Sequence, residues 1–109
     1  MKIATLLFCT FCLTGFAASA QNIVSPDSGW NPDTGCLVKG LDPNGDGFLA
    51  VRTGPGTGYP QISSLFNGDA AFLGAACQGR WCYIEGAVQR GQTTNLRGWI
   101  YDAWCEFYP

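Results

Sequence analysis

The stretch Phe48-Leu49-Ala50-Val51-Arg52-Thr53-Gly54-Pro55-Gly56-Thr57-Gly58-Tyr59-Pro60 sets the character of the whole chain. From Phe48 to Arg52, Phe48, Ala50 and Arg52 alternate with Leu49 and Val51, the period of a half-buried β-strand. The strand runs into a glycine-proline turn. Pro55 presets φ for the second position of a β-turn, and Gly56 is suited to the positive φ that a type II turn needs next. Tyr59-Pro60 then keeps the chain extended, because the residue before proline is pushed out of the helical region.

The same period continues on both sides. Cys36 to Gly47 leads into the domain. Gln61 to Phe66 reads as the next strand, with Ile62 and either Leu65 or Phe66 as core positions. Asn67-Gly68 is a hairpin signal. Ala70 to Cys77 follows with Ala71, Leu73, Ala75 and Cys77 on one face, and Trp81 to Val88 with Cys82 and Ile84 on one face and Trp81 and Tyr83 on the other. Gln89 to Asn95 reads as a polar loop, Leu96 to Tyr101 as the last long strand, Asp102 to Trp104 as one helical turn, and Cys105 to Phe107 as a closing strand. No helical stripe longer than a turn interrupts this alternation. The fold class expected from pattern alone is all-β, a small barrel.

The N-terminus has a different character. Lys2, an apolar run from Ile3 to Ala17 and the small-x-small site Ala18-Ser19-Ala20 make residues 1–20 a secretory signal peptide, too short for a membrane span. Cys9 and Cys12 follow Phe8 and Phe11, where lipid attachment requires small residues. Residues 21–35 read as a flexible leader, with Trp30 expected to staple it to the barrel, and residues 36–109 as one domain. Without Lys2, five basic residues face eight acidic ones, a net charge of −3. That balance offers neither a nucleic-acid footprint nor a polybasic membrane patch.

Val51-Arg52, the Gly54-Pro-Gly-Thr57 loop, Tyr59-Pro60, Leu65-Phe-Asn-Gly-Asp69, Gly79-Arg-Trp81 and Arg97-Gly-Trp-Ile100 together resemble the bacterial SH3 domain, across roughly Phe48 to Phe107. The resemblance implies an SH3-like barrel and a ligand groove lined by Tyr59, Trp81, Trp99 and Tyr101. Packing in the barrel wall is the competing role for Trp81 and Trp99. Papain-like cell-wall peptidases often carry such domains as appendages, and here the appendage type stands without the enzyme.

Four cysteines remain after signal removal: Cys36, Cys77, Cys82 and Cys105. In an exported chain of this size an even number implies two disulfides, and the spacings do not suit a four-cysteine zinc site. Cys77 and Cys82 flank a Gly79-Arg80 turn that would set them opposite each other. The ends of SH3-like barrels lie close together, so the resemblance pairs Cys36 with Cys105. Loop-closure entropy makes the long link worth roughly 4 kcal/mol and the short one roughly 2 kcal/mol. A core this small supplies only ~3–5 kcal/mol by itself.

Chemistry is sharply limited. There is no histidine, which removes histidine-based triads, dyads and metal sites. Asp69, Glu85, Asp102 and Glu106 are scattered rather than paired as a glycosidase dyad. The glycine loop has no following helix or lysine to hold a nucleotide. Asp42, Asn44 and Asp46 match half of a calcium loop, but Thr53 stands where a bidentate glutamate belongs. Cofactors and metals are therefore not expected. A barrel of about 60 residues cannot bury all of Tyr59, Trp81, Tyr83, Trp99, Tyr101 and Trp104, and exposed aromatic faces suit peptides or sugars. Arg52 is expected to pack its stem and pair an acid, and is not counted among the ligand residues. The expected function is a non-catalytic, monomeric, periplasmic or secreted binding module for cell-wall (peptidoglycan) peptide. The alternative is a protein–protein interaction factor such as an inhibitor, accessory subunit or host-facing protein, with the Gln89–Asn95 loop as its feature.

Overall fold

The computed structural model describes residues 22–27 and 34–109; the expected signal peptide and Trp30 lie outside the described residues. The chain is all-β. Among the described residues its strands are β1 Gly35–Val38, β2 Leu49–Arg52, β3 Gln61–Leu65, β4 Ala70–Leu73, β5 Trp81–Gln89, β6 Gln92–Tyr101 and β7 Cys105–Tyr108, with the 3-10 turn Asp102–Trp104 before the last. They form one antiparallel sheet in the order β3-β2-β6-β5-β4-β1-β7. Leu65 from one edge of the sheet and Cys36 and Cys105 from the other belong to the same core cluster, so the sheet wraps around its own interior.

The alternation predicted for β2 holds: Leu49 and Val51 are buried in that core. Cys82 and Ile84 join them from β5, and Ala71 and Leu73 from β4. Two disulfides close the structure, Cys36–Cys105 between β1 and β7 and Cys77–Cys82 across the turn that opens β5. Among the described residues no helix is long and apolar enough to cross a membrane.

Several local expectations are corrected. Gly56 does not take a positive φ. Its amide donates to Gly54 O at 2.9 Å, and Tyr59 N–H donates to Gly56 O at 3.3 Å. A three-residue turn around Pro55 is therefore followed by a separate turn, and proline's fixed φ suits the first. Asn67-Gly68 does not join a hairpin, since β3 pairs with β2 while β4 pairs with β1 and β5. The end of β1 secures that turn instead: Gly68 N–H donates to Val38 O, and Asn67 exchanges side-chain hydrogen bonds with the backbone of Leu41.

Gln89–Asn95 is not a loop. Gln89 pairs with Gln92 around Arg90 (φ 51°) and Gly91 (φ 82°), the left-handed pair of a type I′ turn, so β5 and β6 extend as a ribbon. The side chain of Arg90 lies over the Phe66 ring at 4.9 Å, and its amide donates to the buried Asp69 carboxylate.

The leader is also more than a tether. Residues 22–27 form an arm docked on the outer face of the sheet. Ile23 and Val24 pack on a second cluster, Ala75, Tyr83 and Trp99. Tyr83, on the strand face opposite Cys82 and Ile84, is 7% exposed for this reason.

Candidate ligand groove

The residues of β2 that face away from the core, Ala50 and Arg52, form one wall of an open groove of about 610 Å³ together with Phe48 just before the strand. Gly56 and Thr57 of the following loop extend that wall, and Asp46 and Gln61 stand at the margins. Trp81, Tyr101 and Trp104 form the aromatic wall opposite. Their placement follows from the fold. Trp81 opens β5 and Tyr101 closes β6 as registered partners, and Trp104 ends the 3-10 turn that Tyr101 leads into.

Trp81 and Tyr101 meet edge to face, with ring centroids 5.2 Å apart at 63°. This geometry is favourable for aromatic pairs and fixes both rings. The Arg80 guanidinium sits 5.0 Å from the centre of the Tyr101 ring and pairs with Asp102. The hydrogen bond to Asp102, then the charges of Asp102 and Tyr101, raise its pKa further above the ordinary arginine value, so this cation is permanent. Across the groove, Arg52 Nη1 donates to Tyr59 O at 3.0 Å. The expected acid partner for Arg52 is not formed among the described residues, whose ion pairs are Lys39–Glu106, Arg80–Asp102 and Arg97–Glu85. A guanidinium carries five N–H donors, and a planar fork of this kind matches a carboxylate.

The structure divides the four ligand residues expected from sequence. Trp81 and Tyr101 come together in the groove. Tyr59 is 39% exposed but lies outside the groove lining, because its ring folds back over its own loop. A Cβ on Gly54 would stand 2.4 Å from Tyr59 Cδ1, so the missing side chain at Gly54 is what admits the ring. Trp99 does not line the groove and takes its alternative role, packing. It is 0% exposed, tilted against Tyr83 at 5.5 Å, and donates its indole N–H to Val24 O. No ligand in the groove could reach it.

Comparison with protein-family models, curated proteins and solved structures finds no match to this chain. The groove therefore has to be judged on its own geometry.

Trp104, 39% exposed, is the groove aromatic that the sequence-derived set lacked, and Arg52 is a groove cation it also left out. The signal for Trp104 lay in the Asp-Ala-Trp turn following Tyr101, which carries the third ring onto the same wall. The scattered carboxylates have local partners: Glu85 with Arg97, Asp102 with Arg80, Glu106 with Lys39, and Asp69 with the amides of Phe66 and Arg90. Asp42 Oδ1 accepts from Asn44 N–H at 2.8 Å, which makes Asp42–Gly47 an Asx-type turn. No group of three or more metal-ligating side chains converges among the described residues. A smaller cavity of about 290 Å³ lies between β3 and the β5–β6 ribbon, but Gln89 there bonds to Ser63, Ser64 and Thr94.

Proposed function

We propose that this chain is a non-catalytic, exported binding module that holds a short cell-wall peptide in the groove. The observation that carries this is that three aromatic rings, Trp81, Tyr101 and Trp104, line one open groove together with Arg52. Flat rings with polar tips stack on amide planes and sugar faces. A cationic fork beside them selects ligands with a free carboxylate. Peptidoglycan stem peptides offer all three features: amide bonds, an attached sugar and terminal carboxylates. The resemblance to bacterial SH3 domains supports the same ligand class. Two disulfides are consistent with an oxidising compartment and support the reading of the chain as periplasmic or secreted.

A second reading, a protein-facing device, draws on a different surface. Phe72, Phe107 and Tyr108 stand 38%, 44% and 37% exposed around the β4-β1-β7 side of the sheet.

Co-sedimentation of the oxidised mature chain with purified sacculi separates the two. The groove predicts depletion of the wild type and loss of depletion in a Trp81→Ala, Trp104→Ala variant, while Tyr59→Ala still sediments. Failure of the wild type to sediment would remove the cell-wall reading and leave the protein-facing one.

A further inference from the structure

The sheet has one thin seam. β2 meets β6 through a single registered pair, Arg52 and Trp99. By contrast, β5 and β6 run together from Trp81–Tyr101 to Gln89–Gln92. At the seam the strands cross closely: a Cβ on Gly98 would stand 2.7 Å from Val51 Cγ1 and 2.8 Å from Arg52 O. Packing keeps the two halves from moving closer, while a one-pair ladder does little to keep them from moving apart. The groove straddles this seam, with Arg52, Gly56 and Thr57 on one side and Trp81, Tyr101 and Trp104 on the other.

The arm crosses the same seam. Val24 N–H donates to Thr53 O at 2.8 Å, on the side of β2 and its loop. Val24 O accepts from Trp99 Nε1–H at 2.9 Å, on the β6 side. Three residues later Asp27 N–H donates to Gln78 Oε1 at 2.7 Å. Gln78 in turn exchanges backbone hydrogen bonds of 2.7 and 3.1 Å with Trp81, so this last contact reaches the base of the aromatic wall. One extended segment thus bonds to the loop that forms one wall and to the turn that carries the other.

We propose that residues 22–27 are a strap that sets the width of the groove, with Val24 and Gln78 as positioning residues for the ligand. The effect on ligand affinity rests on the binding function proposed above; the mechanical effect does not. Coupling of this kind is reciprocal: a strap that favours the ligand-competent width is itself held more firmly when ligand is bound. A partner or protease that lifts the arm would release the ligand without touching the groove.

The test uses the oxidised mature chain, with Val24→Asp to remove the apolar anchor and Gln78→Ala to cut the second attachment without touching the core. Amide exchange is followed at Thr53, Gly56 and Tyr59 on one wall and at Gln78 and Trp81 on the other, with Ala71 and Ile84 of the β4–β5 ladder as references. The strap predicts at least roughly tenfold faster exchange at the walls with the references unchanged, and an affinity for purified sacculi about tenfold lower, within the usual range of coupling. Unchanged wall exchange in both variants overturns it, as does an equal rise everywhere in both, which would mean general destabilisation. Wild type and variants that sediment equally overturn the coupling to ligand and leave the binding function standing. If the wild type does not sediment, the binding function fails, and the exchange pattern alone decides for or against the strap.

Discussion

The indole N–H of Trp99 donates to the carbonyl of Val24 at 2.9 Å, joining residues 75 positions apart in the chain. This bond turns the outer face of β5 and β6 into a second small core and explains why a ring expected to meet ligand is sealed from solvent. Trp99→Phe removes the donor and part of the ring from a fully buried site. The expected cost is about 2 kcal/mol, roughly a 10 °C fall in Tm for a domain of this size. Trp104→Phe, at a half-exposed position, should stay within about 0.5 kcal/mol of wild type. Thermal unfolding of the two variants side by side checks the contrast.

The two disulfides should not be equivalent. Cys36–Cys105 closes a loop with a sequence separation of 69, Cys77–Cys82 one of 5. Loop-closure entropy assigns about 4 kcal/mol to the first and about 2 kcal/mol to the second. Urea unfolding of Cys36→Ala, Cys105→Ala against Cys77→Ala, Cys82→Ala is expected to show the larger loss in the first pair. Equal losses would mean that the long loop is already constrained in the unfolded chain.

Asp69 is 5% exposed and accepts from two backbone amides, Phe66 N–H and Arg90 N–H, each at 2.9 Å. It therefore ties the turn after β3 to the tip of the β5–β6 ribbon. Asp69→Asn replaces one acceptor with a donor facing a donor. The expected loss is about 1–3 kcal/mol, with faster amide exchange at Phe66 or Arg90.

Much of this was legible in the residues. Period-two alternation fixed the faces of β2, and the Gly79-Arg80 turn paired Cys77 with Cys82. Trp81 and Tyr101 read as groove aromatics and are found there. The positions read differently in the structure fall into two kinds, those decided by a partner far away in sequence and those decided by local backbone. Tyr83 and Trp99 alternate as wet-face residues would, and only the docked Ile23 and Val24 bury them. The polar run Gln89–Asn95 looks like a loop because both faces of a projecting ribbon meet water; only Arg90-Gly91 marks its turn. Tyr59 follows a glycine loop in the manner of a ligand residue, yet the space at Gly54 draws its ring inward.

The most direct test of groove binding is a titration of the isotope-labelled mature chain with a soluble disaccharide–stem-peptide fragment of peptidoglycan, followed through the indole N–H resonances. Trp81 and Trp104 should shift saturably, and Trp99, buried on the arm side, should remain still. Shifts confined to the Ser63–Arg90 cavity or to the Phe72–Tyr108 surface, or none at millimolar fragment, would contradict the groove as the ligand site.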